Sequence, residues 1–226
     1  MTWRLTWPFV IHRVLPLGIV LVLMLLLTTK IASAQEAGTG STAEYHTLGA
    51  LGGRVPVWMA AQLHLFFAAF ILGVPMFSVL IEFIGILKKD DHYDQLAREF
   101  AKLLVTATGI TALFSAILLL LLVSLYPSFM NYISSIFSPA FAFYGLLFFA
   151  ESLTMYVYWY SWDRMKTGRR KSFHASMGIM LNVWGTIILL VTDSWATFMM
   201  SPSGVDATGA LSAEAGGFWA AMQPPL

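Results

Sequence analysis

The sequence contains no cysteine. That excludes disulfides, zinc–thiolate sites, iron–sulfur clusters and covalent c-type haem attachment from this chain. Charge is scarce as well: Asp, Glu, Lys and Arg make up 11% of 226 residues, and the net charge is +1. Such a balance lacks the basic signature of a nucleic-acid-binding protein, so no nucleic-acid partner is expected. No internal repeat and no soluble domain can be discerned. What the chain has instead is apolar surface, with 58% hydrophobic residues and a mean hydropathy of +0.73. A soluble fold does not hide that much, so the class is an integral membrane protein whose partner is the lipid bilayer.

The N-terminus, "MTWRLTWPFVIHR" followed by the apolar block Val14 to Thr29 and then "IASAQEA", is built like a secretory signal with a small-residue cleavage site after Ala34. The block is at the upper edge for a signal and slightly short for a span, so 1–34 reads as either a signal peptide or an N-terminal transmembrane anchor. The Gly-rich polar stretch 35–55 reads as an extracytoplasmic loop. Four longer apolar segments follow, at 56–87, 103–126, 139–161 and 174–199, within a transmembrane domain of 56–200. Each must be helical, because lipid offers no partner to an unpaired backbone group. The fold class is therefore all-α, a four-helix transmembrane bundle preceded by a signal peptide or an extra helix.

Loop charge sets the orientation. "KKDDHYDQLAREFAK" and "WDRMKTGRRKSF" carry nine Lys and Arg, whereas "YPSFMNYISSIFSP" and the tail 201–226 carry none. By the positive-inside rule the two basic loops are cytoplasmic, and the C-terminus lies outside a bacterial inner membrane.

Polar residues within the spans are few. His64 lies in "AAQLHLFFAAFILG", about 12 Å below the outer start of its helix by helical rise. Tyr144 and Asp193 fall on the outer side of the third and fourth helices, and the three can share one layer. Glu151 is seven residues beyond Tyr144 and on the same helix face, near the midplane. Intramembrane charges usually face a cavity, a partner or a cofactor. The bland alternatives are an interhelical hydrogen bond for His64, a neutral interhelical carboxyl for Glu151 and a helix-end cap for Asp193. Glu82, at the cytoplasmic end, reads as a solvated end residue, and the second helix as packing. Trp58, Trp159, Tyr160, Trp162 and Trp195 read as an interfacial belt. His174 lies at the depth opposite to His64, so one haem is not ligated by both.

"GRVPVWMAAQLHLFFAAFILGVPMFSVLIEF" resembles the first transmembrane helix of cytochrome bd quinol oxidase subunit I. Arg54, His64, Gly73 and Glu82 stand at that family's offsets for Arg, His, Gly and Glu. "LLFFAESLTMYVYWYSWDRM" resembles its F-F-L-E-S-T and G-W-D-R motifs. "LNVWGTIILLVTDSW" resembles its fourth helix, with Asp193 where the family usually has Asn. The resemblance implies that His64 is an axial haem-iron ligand, with Arg54 and Asp193 in the cofactor surroundings. It also implies that Glu151 belongs to a proton route, with Tyr144 as a further station. The implied cofactor is a high-spin haem b, with haem d as the alternative.

The departures matter too. Tyr144 replaces the Glu of the family's A-I-E-G, and the E-F-Q-F-G Glu aligns with leucines near Leu119. The low-spin haem ligands and the quinol loop have no counterpart. The resemblance therefore implies a haem-binding electron-transfer subunit of a bd-like respiratory complex, incomplete as an oxidase. Other membrane subunits are the expected partners, with c-type cytochromes docking outside. A haem-free anchoring subunit is the alternative. A small transporter built on Glu151 and Asp193 is a weaker third reading, since no inverted repeat or broken-helix pair supports it.

Overall fold

A computed structural model describes residues 46–223. The expected signal or anchor at 1–34 lies outside the described residues. Four long helices dominate: α1 (Arg54–Lys88), α2 (Asp91–Leu125), α3 (Pro127–Ser161) and α4 (Gly168–Met200). All are long and apolar enough to cross a membrane. A short helix, α5 (Gly217–Ala221), follows near the C-terminus. Each long helix packs on its chain neighbour, and α4 returns to α1, which closes a four-membered ring.

The helices extend well beyond the apolar segments. The expected outer loop 127–138 is helical, because Pro127 occupies the first turn of α3, where its missing N–H is no loss. The first basic loop shrinks to a turn at Lys89 and Asp90. Asp90 caps α2 by accepting from the His92 backbone N–H at 2.9 Å, a contact worth about 1 kcal/mol. Helices of 33 to 35 residues outrun the hydrocarbon layer, so their polar ends project beyond it. Hydropathy marks the lipid-immersed part of a helix and misses these ends.

Close approach depends on small residues. A Cβ at Gly178 of α4 would overlap Val79 of α1 and crowd the Tyr158 ring of α3. Gly85 lies against Tyr93 and Asp94, where α1 turns back into α2. One buried core lies toward the basic turns, around Ile81, Ala101, Leu104, Tyr158, Trp162 and Leu181. A second lies at the opposite end. There the tail expected as a loose extracytoplasmic segment folds back, and Ala221, Phe218 and Met222 of the α5 region pack against Ile133, Phe137 and Phe198. Gly204 meets the Gly217 carbonyl in this cap at a positive φ of 74°, a place where only glycine fits. Asp206 accepts from the Thr208 hydroxyl at 2.6 Å and the Thr208 N–H at 2.8 Å. These bonds hold its carboxyl below the usual carboxylate range.

Candidate functional site

His64 sits on α1, half-buried against α2. Its Nδ1 is 3.3 Å from the carbonyl oxygen of Thr111, which only accepts, so that nitrogen carries the proton. The Thr111 hydroxyl is itself turned back to the Ala107 carbonyl at 2.9 Å, so the Thr111 carbonyl alone faces the ring. Among the described residues nothing bonds Nε2. An imidazole whose Nδ1–H is held by a backbone carbonyl, with Nε2 left open, has the arrangement of a metal-ligating histidine. The donor chemistry therefore fits a haem with His64 as axial ligand. Among the described residues no group of three His, Asp or Glu could hold a bare metal ion, which is a separate requirement.

Glu151 lies where all four helices meet. It lines a cavity of about 10 Å³ with Ile71 and Pro75 of α1, Thr108 of α2, Met155 of α3 and Leu181 of α4. Such a space is close to the minimum for one water. Pro75 has no N–H, so the Ile71 carbonyl loses its helical donor and adds a free acceptor at the same level. Among the described residues no cation forms an ion pair with Glu151. Along α1, His64 precedes Ile71 by seven residues and Glu82 follows Pro75 by seven. Glu151 thus lies about 10 Å in depth from each of these two side chains.

The other expected site residues are less engaged. Tyr144 is half-buried on α3, seven residues from Glu151 toward the level of His64. Asp193 is exposed on α4, directed away from the bundle interior, and Arg54 is exposed at the first turn of α1. Among the described residues neither Asp193 nor Arg54 joins His64, whose bonded partner is the Thr111 carbonyl.

The largest correction concerns Glu82. Expected to be solvated, it is fully buried at the centre of a polar cluster fed by all four helices. Its Oε1 accepts from Lys171 Nζ at 2.8 Å and lies 2.6 Å from His174 Nδ1. Its Oε2 accepts from the Tyr158 hydroxyl at 2.8 Å. Lys171 also pairs with Asp94 of α2, which accepts from the Trp162 indole N–H at 3.1 Å. His174 is stacked on Tyr158 at 4.4 Å and meets the edge of Trp162 at 4.5 Å. Burial of a carboxylate is possible here because the Lys171 ammonium, the His174 ring and a hydroxyl replace its water. Trp162, expected in the interfacial belt, is therefore 1% exposed, and α2 contributes Asp94 from a stretch read as a cytoplasmic loop.

Sequence reading missed this cluster because Asp94 and Lys171 lie in segments taken as loops. One signal was present: Glu82 lies four residues after Ser78 and three before Gly85, on the buried face of α1.

The model for the family described as cytochrome bd terminal oxidase subunit I matches residues 53–226. The putative cytochrome bd menaquinol oxidase subunit I of Bacillus subtilis (strain 168) is 32% identical over 107 residues, which are 47% of this chain and 24% of that protein. The structure of bd oxidase from Geobacillus thermodenitrificans superposes with a TM-score of 0.64 at 24% identity, over 71% of this chain and 37% of that one. The chain thus spans about a quarter of the length of the curated relative that it matches and just over a third of the solved chain.

Proposed function

Because the chain belongs to the cytochrome bd terminal oxidase subunit I family, we propose that it is a haem-b-binding subunit of a bd-like respiratory complex, with His64 as axial ligand. It is a multi-pass protein of the bacterial inner membrane. The proposed orientation puts the two basic turns in the cytoplasm and the C-terminus outside, as the Lys and Arg distribution favours.

The observation that carries the reading is the His64 geometry. The Thr111 carbonyl accepts a hydrogen bond from Nδ1–H, which leaves Nε2 as the nitrogen that would ligate haem iron. Haem, when bound there, would supply one-electron chemistry. This chain's own part is to hold the imidazole in one tautomer and to keep Glu151 in a small space ringed by apolar side chains. A midplane carboxyl with no cation beside it favours its neutral form, and it can hand a proton to a nearby acceptor and recover it. We assign Glu151 that proton-holding role, with Tyr144 as the next hydroxyl toward the level of His64.

The chain is proposed to act with further membrane subunits, as membership of a terminal-oxidase subunit family suggests. The comparisons lend no support to the c-type cytochromes expected on the outer face. The proposed cofactor is a high-spin haem b, with haem d as the alternative.

The test is His64→Ala in the membrane complex. Loss or conversion of one high-spin haem signal, with assembly retained, is the expected result. Wild-type haem content and spectrum would instead favour the haem-free anchoring role.

A further inference from the structure

The buried cluster at the basic-turn end has a property that hydrogen-bond valence fixes. His174 Nε2 lies 2.9 Å from the Tyr158 backbone carbonyl, which only accepts, so Nε2 carries a hydrogen. Nδ1 lies 2.6 Å from Glu82 Oε1. The Glu82 carboxyl already accepts from Lys171 and from the Tyr158 hydroxyl, which is the environment of an ionised carboxylate. Nδ1 must then donate as well. With Glu82 ionised, the fully buried His174 ring then carries hydrogen on both nitrogens.

The charges balance: Glu82 and Asp94 are negative, and Lys171 and His174 are positive. His174 touches Glu82 of α1 and Tyr158 and Trp162 of α3, and the cluster continues through these to Ser78 of α1, Asp94 of α2 and Lys171 of α4. Loss of the His174 proton would leave a net negative charge enclosed in protein, a costly state.

The cluster also has a way out. Exposure rises stepwise from Glu82 at 0% through Lys171 at 10% to Asp94 at 23%. We infer that Glu82 and His174 form a proton-binding site that exchanges with water on the basic-turn side through Lys171 and Asp94. In uptake, Asp94 takes a proton from water. Lys171 gives an ammonium proton to Glu82 Oε1 and regains one from Asp94. Glu82 passes its proton to His174 Nδ1. One proton leaves water, one N–H bond forms on the imidazole, and every other group returns to its starting state. The site is separate from His64 and Glu151, and its readout needs no haem.

The experiment is ¹⁵N-histidine NMR on the full chain in lipid nanodiscs, with the His174 signal identified by its loss in His174→Gln. At neutral pH both ring nitrogens should carry hydrogen, and the Nδ1 hydrogen should exchange with deuterated water. Asp94→Asn should slow that exchange several-fold. Lys171→Arg, which keeps the charge and both pairings but does not release protons, should slow it likewise. Asp163→Asn removes a carboxylate that pairs with Arg98 and Lys166 outside the cluster, and should leave it unchanged. A neutral His174 ring at neutral pH would overturn the site. So would an exchange rate that ignores Lys171→Arg, since the cluster would then be only a lock between helices.

Discussion

Gly185 of α4 faces the Glu151 carboxyl of α3 so closely that a Cβ built on the glycine lies 3.2 Å from Glu151 Oε1. The same Cβ would lie 3.2 Å from Leu72 of α1. Absence of a side chain at one position of α4 thus creates the space that the carboxyl occupies. The pair fixes where Glu151 sits between the other helices.

Gly185→Ala should therefore move the carboxyl slightly without unfolding the chain. Helix propensity favours alanine by about 0.8–1 kcal/mol, which offsets the tight contact. Thermal stability should stay near wild type while the Glu151 C=O stretch shifts in infrared spectra. An unshifted band would place Glu151 away from α4.

Removal of the Glu82 carboxylate leaves Lys171 and His174 as neighbouring buried cations. Glu82→Ala should cost about 3–5 kcal/mol, the usual loss on breaking a buried pair. Thermal unfolding in detergent measures it, and Glu82→Leu combined with His174→Leu should recover part of the loss. A destabilisation no larger than that of an exposed ion pair would mean that the cluster is hydrated in the membrane.

Glu151→Gln keeps the shape and hydrogen bonding of the side chain and removes its exchangeable charge. In the haem-loaded complex it should preserve haem content while making the haem midpoint potential less dependent on pH. Redox titrations at several pH values compare the slopes. Equal slopes would reduce Glu151 to a structural hydrogen-bonding residue.

Reporters inserted at the Lys89–Asp90 turn and between Met165 and Thr167 should report the cytoplasm, and a fusion after Gln223 the outside. Nine of the ten Lys and Arg between residues 46 and 223 lie at or near those two turns, Arg54 being the exception. An external Arg169–Lys171 segment would invert the direction in which Asp94 meets water.

Composition and apolar run length determined the membrane class, the helical state and the four spans found among the described residues, because a bilayer core admits few backbone solutions. The offsets among Arg54, His64, Gly73 and Glu82 were legible for the same reason: α1 is one continuous helix, and spacing along it is geometry. The sequence also marked His64 and Glu151 as polar residues out of place in lipid. Only the tertiary structure decided what each polar residue meets. Asp193 was grouped with His64 by depth, yet it points away from the bundle, since depth carries no information about helix rotation. Glu82 was judged by its nearness to a helix end. Its burial depends on Asp94, Tyr158, Lys171 and His174, which arrive from three other helices at separations of 12 to 92 residues. No local pattern records such a meeting, because the energy that holds it arises only when the four helices close around the carboxylate.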